Sequence, residues 1–496
     1  MKRTTTTRAL LACAWISVTA LASGCGEPGP SRTNVLLVTV DCLRADHVGA
    51  YGYERDTTPN IDALARESEL FENSWSHAPF TAPSHASLLT SLVTESHGVV
   101  FWGNRLVEGV PTMGDCFGEA GWRTGAFHNH PSLVPAGITR GFEKVSVRPF
   151  GPYAVTVRDF DRWLDEIDGD AFAAWVHLWD AHRPYGFRNY RGEGAASLRD
   201  LRIPAAYDYA EHVFSEPHDE RVGRHEGWYN LSREQRSEPF DVGNTKRLAV
   251  DSDFRYVEDR YDDAVRVADR GVAELVDALR RRGLLENTVV VVTADHGESL
   301  REREECWFTH DPFLRSETLH VPLVVRWPDG RAAGTRRDDL ARGIDVLPTL
   351  LGACGIAPPE TFQGRDLSVR PAEGGERLLS VASTRTHSAK ESSRRVDADE
   401  WIEHRDSVTD GRLLLVRDND VDRWSFFDLE LDPGARRDLI GPGESATWPD
   451  RAIALREAGE AWLGSLPHAE LRRSELTPAE RKVLEEIGYL SPDRSE

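Results

Sequence analysis

Lysine is nearly absent from this chain. Lys2, Lys144, Lys246, Lys390 and Lys482 are the only ones among 60 basic residues, so arginine carries almost all the positive charge. Acidic residues number 82, which leaves a formal net charge of −22. A balance this acidic argues against nucleic acid or an anionic lipid surface as the main partner, because both require a basic face. An anionic substrate would have to be held by a local cation. The cysteines, Cys13, Cys25, Cys42, Cys116, Cys306 and Cys354, are widely spaced and form no CxxC pair. That spacing argues against a zinc knuckle and leaves no disulfide framework to read. Beyond the first residues no apolar run is long enough to span a bilayer.

The one long apolar run, Ala9 to Ala22, follows Lys2, Arg3 and Arg8 and precedes Ser23-Gly24-Cys25. A basic start, an apolar middle and small residues at the break read as an export signal. Ala-Ser-Gly-Cys resembles a bacterial lipobox, in which the chain is cut before the cysteine and Cys25 is lipidated. Residues 1–24 are therefore read as signal and 25–33 as linker. The mature protein is expected in the periplasm or on the outer cell surface, touching the membrane only through that anchor.

At 496 residues the chain can build one large domain and a smaller one. Strand-like runs at Asn34–Asp41, Thr124–Phe127, Ala171–Trp179, Thr288–Thr293 and His320–Arg326 alternate with helical patterns, which predicts an α/β fold with a mostly parallel sheet flanked by helices. The clearest helix runs from about Arg260 to Arg282, with Val265, Ala268, Val272, Leu275, Val276 and Leu279 on one stripe and Gly283 as its stop. Residues 34–370 form the expected large domain, in which 186–246 is a polar insertion. After about Pro371 short strands at Arg412–Val416 and Trp424–Asp428 predict a small antiparallel subdomain, 371–496, with a tail helix from Leu476 to Leu490.

Two predicted strands end on metal-type ligands: NVLLVTV on Asp41, and TVVVVTA on Asp295-His296-Gly297-Glu298. Ligands of an open α/β sheet bind beyond the carboxyl ends of its strands. Carboxylates with one imidazole suit a divalent cation such as Mg²⁺, Ca²⁺, Mn²⁺ or Zn²⁺. An Asp at a strand end is often only a helix cap, but the Asp-His doublet has no capping explanation. Between them lies FTAPSHASLLTS. Pro83 suits the first turn of a helix and places Thr81 just ahead of its N-terminus, where backbone N–H groups favour an anion. Thr81 could equally be a plain capping hydroxyl.

The ordered segments VDCLRADHVGAYGY, TPNIDALA, TAPSHASLLTS, HLWDAHRPY, ADHGESL, RGIDVLPTLLGACGI and FFDLELDP resemble the sulfatase family of the alkaline phosphatase superfamily. The resemblance implies an alkaline-phosphatase-like sandwich and an ester hydrolase. It implies Asp41, Asp295 and His296 as metal ligands, Thr81 as nucleophile and ligand, His182 near the leaving group, and His310 close to a family Lys/His position. His97 and His177 are possible neighbours. The chain also departs from the pattern. Threonine cannot be oxidised to formylglycine, His85 replaces the arginine that follows the nucleophile, and Cys42 replaces the second carboxylate of an Asp-Asp pair. A threonine ester of sulfate has no elimination route and must be cut by water, which favours phosphoric or phosphonic esters. The expected partner is a small-molecule or glycan- or lipid-derived anionic ester. A phosphoethanolamine or phosphoglycerol transferase, and a binding protein that has lost activity, suggested by Cys42, His85 and Arg303, are the alternatives.

Overall fold

The computed structural model describes residues 32–101, 103–149, 151–182, 185, 251–300, 302, 310, 313–370, 378–386, 403–441 and 448–473. Cys25, the 186–246 insertion, Arg303 and the tail helix lie outside them.

Eight strands form the main sheet: β1 (Asn34–Val40), β2 (Glu69–Phe71), β3 (Arg123–His128), β4 (Lys144–Val147), β5 (Phe172–Leu178), β6 (Thr288–Ala294), β7 (Leu323–Arg326) and β8 (Arg336–Arg337). Their order is β8-β2-β7-β6-β1-β5-β3-β4. From β6 through β1, β5 and β3 to β4 every pairing is parallel, whereas β7 runs antiparallel to both β6 and β2. Every residue of β1, β5 and β6 is buried. That is why these strands read as continuous apolar runs rather than as alternating ones.

Two helical layers explain this burial. Leu36, Val38 and Val40 pack with α1 (Pro59–Arg66), α4 (Tyr153–Glu166) and α5 (Asp251–Arg281). Val35 and Leu37, alternate residues of the same strand, pack with α2 (Thr81–Thr90), α3 (Met113–Glu119) and α6 (Val346–Ala353). Helix α5 begins earlier than its apolar stripe announces and stops before Gly283, whose φ is 66°. Buried Asp269 on this helix accepts the Asn60 and Ile61 backbone N–H groups at 3.1 and 2.8 Å, capping α1 from outside. Asp269→Ala is expected to cost about 1–2 kcal/mol, read from the denaturation midpoint.

The second sheet is antiparallel, with order β9 (Ser380–Thr386), β10 (Glu403–Thr409), β11 (Leu413–Asp418) and β12 (Arg423–Asp428). Val408, Leu413, Leu415 and Phe426 pack with Ala452 and Leu455 of α7 (Asp450–Ser465). The other face, Leu414, Val416 and Phe427, packs with Trp75, Leu319 and Leu340. Sequence patterning did not announce α7, because its buried positions Ala452, Leu455 and Gly459 make a stripe of mostly small residues. Among the described residues no helix is long and apolar enough to cross a membrane.

Candidate metal centre and active site

The carboxyl ends of β1, β5, β3 and β6 converge on one buried cluster. Pairing Val40 with Ala294 sets Asp41 beside Asp295. Asp295 Oδ1 accepts the His296 N–H at 2.8 Å and the Cys42 N–H at 3.2 Å, which ties the two strand ends together. Gly297 then passes so close to Glu317 that a Cβ would lie 2.1 Å from the Glu317 carbonyl oxygen, so glycine is required in the loop that carries His296.

Helix α2 begins at Thr81 itself, one step earlier than Pro83 suggested. Pro83 falls third in the helix, where the missing N–H has no intrahelical partner in any case. Phe80 occupies the N-cap position without a side-chain cap bond, so Thr81 is not the capping hydroxyl. Its Oγ1 lies 3.4 Å from His296 Nε2. The same nitrogen lies 3.8 Å from Asp41 Oδ1 and 3.5 Å from Asp295 Oδ2. Thr81, Asp41, Asp295 and His296 are therefore brought together. Asp295 Oδ2 is buried and accepts no hydrogen bond, a costly state for a carboxylate oxygen unless a cation faces it.

A second layer fixes these groups. His85 Nδ1 donates to the Thr81 carbonyl at 2.8 Å, and His177 Nε2 lies 3.2 Å from Asp41 Oδ2. Thr39 Oγ1 joins them, bonded to His85 Nε2 at 3.1 Å and His177 Nδ1 at 3.0 Å while receiving the Trp175 indole N–H at 3.0 Å. Burial, helped by His177, takes His85 down to about 3, and burial takes His177 down to about 4. Both are neutral imidazoles at ordinary pH. Burial also pulls on His296, but Asp295 and Asp41 outweigh it and raise this imidazole above its ordinary value. Thr39→Val, which keeps shape but removes the shared hydroxyl, is expected to cost roughly 2–4 kcal/mol of stability. It should also weaken metal binding by about 10-fold or more, because His177 no longer steadies Asp41; melting curves and metal titration check both.

His182 and His310 lie on the Cys42 side, with ring centroids 5.6 Å apart. Cys42 has φ 57°, rare for a residue with a side chain, and its thiol donates to Asp41 Oδ1 at 3.1 Å. His310 Nδ1 is 3.2 Å from Glu298 Oε1. His97 stays outside: its Nε2 bonds Ser87 Oγ at 3.0 Å and its Nδ1 accepts the Val99 N–H, a structural role. Sequence reasoning missed Thr39, Trp175, His128, His130 and the role of Glu298. His128 closes β3 and stacks on Trp175, so the strand-end rule that found Asp41, applied to TGAFH, would have reached it.

Known proteins match this chain over most of its length. The model of the family "Sulfatase" matches residues 33–356, and that of "N-sulphoglucosamine sulphohydrolase, C-terminal" matches 303–448. An endo-4-O-sulfatase of Bacteroides thetaiotaomicron is 25% identical over 397 residues, covering 70% of this chain and 75% of its own. Human N-acetylgalactosamine-6-sulfatase is 25% identical over 391 residues, covering 72% and 69%. A phosphonate monoester hydrolase of Agrobacterium radiobacter shares the fold with TM-score 0.65 at 19% identity, over 87% of this chain and 95% of that one. Because the sulfatase model matches residues 33–356, well over half of the chain, the chain belongs to the sulfatase family, within the alkaline phosphatase superfamily.

Proposed function

We propose that this ester hydrolase is metal-dependent and attacks through Thr81, with phosphoric and phosphonic esters favoured over sulfuric esters. The observation that carries the reading is the junction of Thr81 Oγ1, His296 Nε2 and the unsatisfied Asp295 Oδ2. Asp41, Asp295, His296 and Thr81 offer oxygen and imidazole donors that fit Mg²⁺, Ca²⁺, Mn²⁺ or Zn²⁺. Such an ion neutralises charge on the ester and acidifies the hydroxyl beside it.

The chain's own groups do the rest. Thr81 Oγ1 forms the bond to phosphorus as the bond to the alcohol oxygen breaks, and its proton passes to solvent. The Thr81 and Ala82 N–H groups at the start of α2 are the ones left for the charge that develops, since Pro83 has none and the Ser84 N–H bonds the Phe80 carbonyl. His182 and His310 serve the departing alcohol, whose oxygen must be neutralised as it leaves. Water then attacks phosphorus and frees Thr81. Formylglycine cannot form at a threonine, so a sulfated Thr81 lacks an elimination route, which supports phosphorus over sulfur.

One of the relatives named above is an N-acetylgalactosamine-6-sulfatase, which supports a glycan-derived alcohol. Export and a lipid anchor at Cys25 belong to the same proposal. The test is a panel of nitrophenyl phosphate, phosphate diester, phenylphosphonate and sulfate, with and without chelator. Phosphorus esters should turn over faster than sulfate, stop with chelator and recover with metal. Faster sulfate turnover overturns the preference, and no turnover on any ester favours the binding reading.

A further inference from the structure

Cys42 follows Asp41 in a cluster rich in carboxylates, where a thiol is a poor donor for a hard cation. The thiol is fully buried and close to more than Asp41. Its Sγ lies 3.8 Å from His310 Nδ1 and 3.9 Å from His296 Nδ1. Cys42, His182 and His310 can each offer one ligand atom with all three within 4.8 Å of one another. One thiolate and two imidazoles are borderline-soft donors, unlike the carboxylates on the other side of Asp41.

We propose that Cys42, His182 and His310 form a second cation site, selective for Zn²⁺ or a similar thiophilic dication, adjacent to the ion held by Asp41, Asp295, His296 and Thr81. Three observations support it beyond the donor set. Asp41 Oδ1 lies 3.1 Å from Cys42 Sγ and 3.8 Å from His296 Nε2, so this one oxygen stands between the two donor sets. Glu298, buried, lies 3.2 Å from His310 Nδ1 and can accept its proton, which leaves Nε2 as the ligating nitrogen of His310. Backbone in the left-handed region at Cys42 brings its thiol and its N–H into the same site, donating to Asp41 and Asp295 respectively. Three protein ligands leave one tetrahedral position open, which the oxygen of the departing alcohol would fill. The assignment deepens the reading of His182 and His310 given above and rests on it for that catalytic role alone.

Metal-free protein titrated with Co²⁺ provides the test. Two ions per chain are expected, one of them bringing a thiolate-to-cobalt charge-transfer band in the near ultraviolet. Cys42→Ser and, separately, His182→Asn should each lose one equivalent, and Cys42→Ser should lose the band. Either variant suffices if the other does not fold. One ion per chain without the band, or a band that survives Cys42→Ser, overturns the second site. Ester turnover in the presence of one ion and no band would leave the proposed function standing. Two ions with the band but no turnover on any ester would leave the second site standing and remove the function.

Discussion

Thr81→Ala is expected to lower turnover of the best ester by roughly 10⁴-fold or more, the scale seen when an enzyme loses its nucleophile. Stability should scarcely change. Alanine is a better helix former than threonine, and Thr81 contributes no cap bond to α2. The side chain is buried, so its loss opens only a small void beside His296. Thr81→Ser keeps the oxygen and should retain turnover within about 10-fold, since it removes only the methyl that limits rotation about χ1. Both variants should bind metal through Asp41, Asp295 and His296. Steady-state rates measured beside metal content and thermal midpoint separate loss of the nucleophile from loss of the ion. Wild-type turnover in Thr81→Ala would remove this residue from the mechanism.

Asp295→Asn is expected to act in opposite directions with and without metal. In metal-free protein the Oδ2 atom of Asp295 is buried and accepts no hydrogen bond, and the Asp41 carboxyl stands at the neighbouring strand end. Neutralising it removes like-charge repulsion and a desolvation cost, while the amide oxygen can still accept the Cys42 and His296 N–H groups. The metal-free variant should therefore be more stable than metal-free wild type, by about 1–3 kcal/mol. With saturating metal the order inverts. Wild type gains about 3–4 kcal/mol at 100–1,000 times the dissociation constant, and the variant gains little. Thermal midpoints of both proteins with chelator and with excess Mg²⁺, Mn²⁺ or Zn²⁺ read the crossing directly. An asparagine variant that is weaker than wild type under chelator, or that keeps the full metal shift, would show that Asp295 faces no ion.

Much of the fold was legible because burial on both faces leaves a plain mark. NVLLVTV and TVVVVTA can be little else than central strands, and each stops on a polar ligand where the strand leaves the core. Asp41, Asp295 and His296 were read from those strand ends, Thr81 from the helix start at Pro83 and the roles of all four from resemblance; the structure brings the four side chains together. The short strands β2, β4 and β8 escaped because two to four residues carry no periodicity, and pairing with neighbours distant in sequence defines them instead. Thr39 escaped for a different reason. It sits inside an apolar strand and looks like an ordinary β-branched filler, and only the register Thr39 to His177 reveals that its hydroxyl joins two imidazoles. His128 and His130 resemble loop residues until β3 places them at the same sheet end. Cys42 was legible as a departure, but no local pattern in the sequence announces its nearness to His310.

The central claim is a two-step displacement in which Thr81 carries the transferred group. The most direct measurement is the stereochemical course at phosphorus with a substrate made chiral by oxygen isotopes. Two in-line displacements, first by Thr81 and then by water, predict net retention of configuration. Inversion would mean that water attacks the ester in one step, and would contradict the account.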